Sequence, residues 1–421
     1  MKKGSDVKRY VIIGNGVAAV GCVEGIRSVD PEGAITIVSS ERWHAYCRPL
    51  ISYYLEGRAA IPRMSYRGED FYRVNHCELL LGVRAVKLDA SARTVALDDG
   101  SVLSYDTVCL ATGSSPFVPP MTGLETVANK HSFMTLDDAI KLEQSVDTSS
   151  RVLIVGAGLI GLKCAEGLCE RVASITVCDL APRVLSSVLD QECAERMQAL
   201  LESHGMRFFL GDSVAQFRGN CAIMHGGAQV EFDALVLAVG VRANIGLARE
   251  IGAKCGRAIQ VDAHMSTSVS GVYAAGDCTE SYDASSGTIK VMALMPNAYQ
   301  QGFCAGLNMS GHSHEYLEGI PMNAIGFWGL HALTAGTRYS EEEGGQTYVE
   351  RDAEHIKKLY IKDGKLTGMI LLGEVERAGI YCQMIRSGRA LDSVDFDAMQ
   401  IRPSLSALSS SERGHILGEL V

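Results

Sequence analysis

No CxxC pair occurs among the thirteen cysteines of this 421-residue chain, and thirteen is an odd number. Neither a disulfide framework nor a zinc ribbon is built from such spacing, so no metal site is expected and most of these thiols should be reduced and buried. Net positive charge is also lacking. At a formal −10 the chain has no overall basic face with which to displace counterions, which argues against nucleic acid or an anionic membrane as the main partner. Long apolar runs are absent as well: none reaches the ~20 residues of a membrane span. MKKGSDVKRY passes into the short run VIIGNG without the apolar core and cleavage site of a signal peptide. A cytoplasmic protein without membrane insertion is the expectation. With 47% hydrophobic and 21% charged residues the balance is that of a folded chain, and its length calls for two or three domains.

Glycine, by contrast, is abundant. The 44 glycines fall mostly at the ends of apolar runs, as in a protein with many tight strand-to-helix turns. Two stretches, RYVIIGNGVAAVGCVEGIRS and RVLIVGAGLIGLKCAEGLCE, share one layout: a basic residue, an apolar strand, Gly-x-Gly, then a helix of small residues. This is an internal duplication of a nucleotide-binding unit. Each β-branched run reads as a buried parallel strand. Gly14 and Gly156 are placed to make the tight turn, and Gly16 and Gly158 to let the backbone approach a pyrophosphate at the helix N-terminus. The third position of the motif is Ala19 in the first copy and Gly161 in the second.

A second strand ending in an acid comes after each turn: AITIVSSE supplies Glu41 and SITVCDLAPR supplies Asp179. Such carboxylates accept hydrogen bonds from ribose hydroxyls, and Asp179 would repel the extra phosphate of NADP, so NADH is favoured over NADPH. Arg183, four residues on, is the feature that would accommodate a phosphate instead. Three further strands end in small residues: YDTVCLATGSSP at Ala111, Thr112 and Gly113, FDALVLAVGVRAN at Gly240, and SGVYAAGDC at Gly276 and Asp277.

With these five ordered motifs, spanning residues 10 to 311, the chain resembles the flavoprotein pyridine-nucleotide oxidoreductases, which bind FAD in a first dinucleotide unit and NAD(P)H in a second. The resemblance implies an α/β fold of two interleaved Rossmann-like domains with a smaller C-terminal α+β domain. Residues 1–115 and 245–320 would bind FAD, 116–244 would bind NAD(P)H, and 321–421 would form the small domain. Gly14, Gly16 and Glu41 would hold the FAD pyrophosphate and ribose, Ala111 to Gly113 would bring backbone against the cofactor, and Asp277 would bond its ribityl or phosphate portion. In MPNAYQQGFCAGLNMSG a helix starting near Asn297 and Ala298, with Pro296 at its entry, would point its positive end at the flavin.

SSERWHAYCRPLIS resembles the Tyr-x-Arg-Pro segment of the rubredoxin, ferredoxin and nitrite reductase branches. There the Arg and Pro lie along the cofactor, so Arg48 and Pro49 are expected to do so, with Cys47 at the variable position between Tyr46 and Arg48. A second branch, the coenzyme A disulfide reductases, places a reactive cysteine near this point. In that branch a Gly-Leu-Pro-Tyr type sequence comes after the cysteine, whereas this chain has Arg48-Pro49-Leu50-Ile51. An adjacent Arg would depress a thiol pKa, which keeps Cys47 as the candidate catalytic residue. Cys164 and Cys169 have the CxxxxC spacing of disulfide reductases but sit on a helix in the NAD unit, where residues five apart point away from each other.

The implied reaction passes hydride from NADH to FAD and then electrons to a small redox protein such as rubredoxin or ferredoxin. The alternatives are a single-cysteine reductase of coenzyme A disulfide, persulfide or polysulfide, and a non-catalytic flavin-binding subunit. Oligomeric state is left open. In the C-terminal region alternating strands, a turn at Asp363-Gly364 and a helix near 377 to 387 are predicted, with Phe327 and Trp328 either core aromatics or neighbours of the flavin. Lys357, Lys358, Lys362 and Lys365 read as a strand edge guarded by lysines, or as a basic face for an acidic redox protein. A serine-rich tail occupies the positions after residue 402.

Overall fold

Successive residues of Arg9–Ile13 face opposite sides of a sheet, and both sides are apolar. Tyr10 and Ile12 enter one buried cluster while Val11 and Ile13 enter another, which is why this strand reads as an unbroken hydrophobic run. In the computed structural model, which describes residues 7–405, this strand is the centre of a five-stranded parallel sheet. The sheet order is Val272–Ala274, Thr107–Leu110, Arg9–Ile13, Ala34–Ser39, Cys77–Leu81. The tail predicted after residue 402 lies, from residue 406 on, outside the described residues.

A second parallel sheet repeats the plan, in the order Lys130–His131, Ala234–Leu237, Arg151–Val155, Ser174–Asp179, Met206–Leu210. The copies agree in detail. Arg9 donates its backbone N–H to Asp106 at 2.8 Å and ion-pairs with the same carboxylate; Arg151 does so with Asp233, also at 2.8 Å. Each sheet carries a three-stranded antiparallel meander, at Ala85–Asp89, Thr94–Leu97 and Val102–Ser104 in the first and at Val214–Arg218, Cys221–Met224 and Gln229–Glu231 in the second. A ribbon of Ser114–Pro116 paired with Val241–Ala243 carries the chain into the second sheet and back.

The helix Val17–Arg27 lies against the helix Met295–Met309 through glycines. A Cβ at Gly21 would sit 2.2 Å from the Tyr299 carbonyl oxygen, and one at Gly302 would sit 1.9 Å from that of Ala18. The second helix begins two residues before the predicted start, so Pro296 falls inside its first turn, where its missing N–H has no intrahelical acceptor to serve.

The chain divides into two compact units: residues 1–280 with Met295–Tyr316, and Ser281–Leu294 with residues 317–421. The second contains a five-stranded antiparallel sheet in the order Met322–Phe327, Leu330–Gly336, Lys365–Leu372, Ile356–Lys362, Gln346–Arg351, covered by the helix Ala378–Ser387. Asp363 and Gly364 make the predicted turn with positive φ at both residues. The lysine reading needs correction. Ile356–Lys362 is an interior strand with partners on both sides, Lys358 is buried, and Lys357 is committed to Glu350 and to the Ile401 carbonyl. There is no guarded edge, and of the four lysines only Lys362, over the Tyr339 ring, and the exposed Lys365 are left for a basic face. Phe327 is a core residue, whereas Trp328, at the tip of the first hairpin, is partly exposed.

The helix contact generates a test. Gly302→Ala forces a methyl into backbone and should destabilise by about 3 kcal/mol or more, seen as a clear drop in melting temperature. Gly379→Ala, where nothing lies within 4 Å, should leave it unchanged or higher.

Candidate functional site

Both glycine turns have the same stereochemistry. Gly14 has φ +116° and Gly156 φ +118°, values open to glycine, and a Cβ there would meet the Ala111 or Ala238 carbonyl oxygen at 2.0 or 2.2 Å. Gly16 and Gly158 face open space within 4 Å, so something outside the chain can approach their backbone. Each is the N-cap of its helix, Val17–Arg27 or Leu159–Leu168, and neither offers a side-chain cap. The helices Leu136–Gln144 and Gln191–Ser203 are capped by Thr135 and Asp190. Unspent N–H groups beside a Cβ-free approach fit the pyrophosphate of a dinucleotide at each turn. The third position packs the turn onto its helix: Ala19 is fully buried, and a Cβ at Gly161 would sit 1.9 Å from the Gly156 oxygen.

Around the first turn the segment 41–48 forms a wall. Ala34–Ser39 ends two residues before Glu41, which therefore sits in the loop beyond the strand rather than on it. Glu41 accepts from the Tyr46 hydroxyl at 2.7 Å and from the Arg48 guanidinium at 2.5 Å. Arg48 also donates to the Met134 carbonyl at 3.0 Å, and Tyr46 accepts from the Leu136 N–H at 2.9 Å. Burial holds the Tyr46 phenol far above its usual pKa, so it remains a donor to Glu41. Asn15, between the two glycines, donates to the Trp43 carbonyl at 3.3 Å and accepts from Tyr72 at 2.9 Å. The Trp43 indole donates to Asp137 at 2.9 Å. A cavity is lined by Asn15, Gly16, Ser39, Glu41, Trp43, Tyr46 and Arg48. Pro49 is the N-cap of the short helix Leu50–Leu55 and sets the direction in which the chain leaves this wall.

Gly276 and Asp277 stand near the start of the helix Val17–Arg27. Gln301 of the helix Met295–Met309, 1% exposed, accepts from the Gly276 N–H at 2.7 Å and the Thr279 hydroxyl at 3.0 Å. Gly276 lies between Ala18 and Ala298, where a Cβ would be 3.0 and 3.5 Å from their side chains. Asn297 and Ala298 are buried in the first turn of that helix. Burial pushes the Asp277 carboxyl above its ordinary pKa, and the Arg48 charge and the Ser114 hydroxyl, 3.3 Å away, pull it back. Thr112 and Gly113 are fixed by Asn244, which exchanges bonds of 2.7 and 2.9 Å with Thr112 and donates its own N–H to the Gly113 carbonyl. Ala111 continues the strand by donating to Ile13 O at 2.8 Å.

In the second cradle Asp179 accepts from the Ala157 N–H at 2.7 Å and the Ala181 N–H at 2.8 Å, so it holds the glycine turn. Gly240, φ +112°, accepts from the Phe117 N–H and has open space beside it. Arg183 has a buried Nε without a hydrogen-bond partner.

Cys47 is half-buried, with its sulfur 4.0 Å from that of Met295. Burial raises its thiol pKa, only partly offset by the Leu50 N–H. The expected depression by Arg48 does not occur, because that guanidinium is turned to Glu41 and Met134. Cys164 is fully buried and Cys169 contacts the His204 carbonyl, so the CxxxxC pair is not a dithiol. Asn15, Trp43, Tyr72, Met134, Asp137 and Gln301 carry no sequence signal as site residues. Most of their bonds join segments far apart in the chain.

Residues 8–302 match the family model described as pyridine nucleotide-disulphide oxidoreductase, and the chain belongs to this family of FAD- and NAD(P)H-using oxidoreductases. It is 30% identical over 394 residues to the NADH-dependent phenylglyoxylate dehydrogenase subunit epsilon of Aromatoleum evansii, covering 91% of this chain and 93% of that one. It is 30% identical over 375 residues to the assimilatory nitrate reductase electron transfer subunit of Bacillus subtilis (strain 168), covering 87% of this chain but only 48% of that longer protein. Its fold is similar to a NAD-dependent persulfide reductase from A. fulgidus, with a TM-score of 0.84, 25% identity, and coverage of 92% of this chain and 78% of the other. No helix among the described residues is long and apolar enough to cross a membrane.

The environment of Cys47 sets its reactivity. Peptide-resolved alkylation near neutral pH should modify Cys47 more slowly than free glutathione, the rate climbing only as pH rises past the ordinary thiol range. Faster modification than glutathione would show an activated thiolate.

Proposed function

We propose that the chain takes hydride from NADH onto FAD and passes the electrons singly to a protein acceptor, a small redox protein such as rubredoxin or ferredoxin. The proposed division of labour gives FAD to residues 1–115 and 245–320, NADH to 116–244, and leaves 321–421 as the small domain. One NADH reduces two one-electron acceptors, with release of one proton and NAD⁺. FAD, when bound, supplies the hydride-accepting ring and the change from two-electron to one-electron transfer. The chain's own part is binding and orientation. Gly14, Gly16, Glu41 and Arg48 hold the first dinucleotide, Gln301 fixes the turn that aims Asp277, and Gly156, Gly158, Gly161 and Asp179 hold the second.

The observation that carries this reading is the state of Cys47. Burial raises its thiol pKa, its sulfur faces that of a methionine, and it is a free cysteine not bonded to a second one. A two-electron path to a disulfide would run through a thiolate or a dithiol, whereas a one-electron path from the flavin needs neither. The two relatives whose names call them subunits, one of them an electron transfer subunit, agree with a protein acceptor.

A second reading, reduction of a disulfide, persulfide or polysulfide through Cys47, is favoured by the partial exposure of that residue beside the first turn of Met295–Met309 and by the likeness to a persulfide reductase. Cys47→Ser separates the two. NADH-driven reduction of a one-electron acceptor should stay within a few-fold of wild type. A loss confined to sulfur acceptors, with flavin reduction by NADH intact, would replace the first reading by the second. Failure of NADH to bleach the flavin would indicate a non-catalytic flavin-binding subunit.

Coenzyme choice supplies a further test. NADH should reduce the flavin at lower concentration than NADPH in stopped-flow mixing. Because Asp179 also holds the Ala157 and Ala181 N–H groups, Asp179→Ala should weaken both coenzymes rather than exchange one for the other. Clean reversal toward NADPH would mean that Arg183 alone decides the preference.

A further inference from the structure

We infer that Trp43 is the platform for the adenine ring of FAD and that Asp137 is the positioning residue that orients it. The inference rests on the reading of the first cradle as the FAD site. In a Rossmann-like unit the acid after the second strand meets the adenosine ribose, so the adenine lies just beyond that acid. Here the acid is Glu41, and Trp43, two residues on, lines the same cavity as Glu41, Ser39 and Gly16.

One contact restrains the indole and two hold the backbone around it. The indole Nε1 donates to Asp137 at 2.9 Å, the Trp43 backbone carbonyl accepts from Asn15 in the glycine turn at 3.3 Å, and the next-but-one residue, Ala45, donates its N–H to Tyr72 at 2.9 Å. Asp137 stands in the first turn of the capped helix Leu136–Gln144, so its backbone is held in place. With its N–H committed to Asp137, the indole that lines this cavity has the rest of its ring to offer a ligand, and the proposed contact is with its π face. A flat heteroaromatic base is the part of FAD that such a face takes; the flavin end has its own wall at Asp277 and the helix Met295–Met309. Base-on-aromatic stacking is worth about tenfold or more in affinity.

The chain has only two tryptophans, Trp43 and Trp328, which makes the assignment directly readable. In full-length Trp328→Phe protein freed of flavin, adding FAD or ADP should quench the remaining emission, while FMN, which lacks adenine, should not. Trp43→Leu should weaken both FAD and ADP about tenfold with the visible flavin spectrum of the bound cofactor unchanged, and Trp43→Phe should recover most of the affinity. Asp137→Ala should reduce the quenching by ADP. If FAD binds but ADP leaves the emission unaltered and Trp43→Leu retains wild-type FAD affinity, the assignment is overturned while the FAD site stands. If the wild-type chain binds no FAD, the reading of the first cradle falls and takes this assignment with it. Should Trp43→Leu not fold, the quenching experiment, which needs no change at Trp43, decides alone.

Discussion

The contact between the helices Val17–Arg27 and Met295–Met309 is the constraint on which the cofactor site depends. Gly21, Gly25, Gly302 and Gly306 each lack a Cβ where the opposing helix backbone lies, and the backbones meet there at distances that a side chain at those four positions would not allow. On the same helix Gln301 accepts from the Gly276 N–H, and the next residue, Asp277, is within the influence of the Arg48 charge. Residues almost 300 positions apart in the chain thereby form one site.

A second dependence is the repetition of the dinucleotide unit. The copies share the order of four of their five strands, the turn geometry and the Arg–Asp clasp at the foot of the central strand, Arg9 with Asp106 and Arg151 with Asp233. They differ in their acids. Asp179 ends its strand and props up the turn itself, whereas Glu41 lies beyond its strand and is tied to Tyr46 and Arg48. The carboxylate of the first copy thus belongs to a larger side-chain network, whereas that of the second is bonded to the backbone of its own turn.

Local features are the ones legible in the sequence. Apolar runs, Gly-x-Gly turns and the Gly-Asp segment carry their meaning within a dozen residues, because period and turn chemistry are short-range properties. The lysine-bearing strand escapes such a reading because whether a strand is an edge depends on which other strands pair with it. The bond from Trp43 to Asp137 and that from Arg48 to Met134 span about ninety positions, and no residue type announces them. Arg48 shows the same limit: adjacency to Cys47 suggests an activated thiol, yet side-chain direction sends the charge elsewhere.

The burial that raises the thiol pKa at Cys47 also does so at Cys77, to about 11, at Cys278, to about 11, and at Cys178 and Cys304, to about 12. Protonated sulfur is a poor nucleophile toward peroxide, and the oxidation ladder from sulfenic to sulfonic acid begins from the thiolate. The packing that builds the sheets therefore also lowers the share of thiolate at these positions, so that the same burial that stabilises the fold slows the first rung of sulfur oxidation.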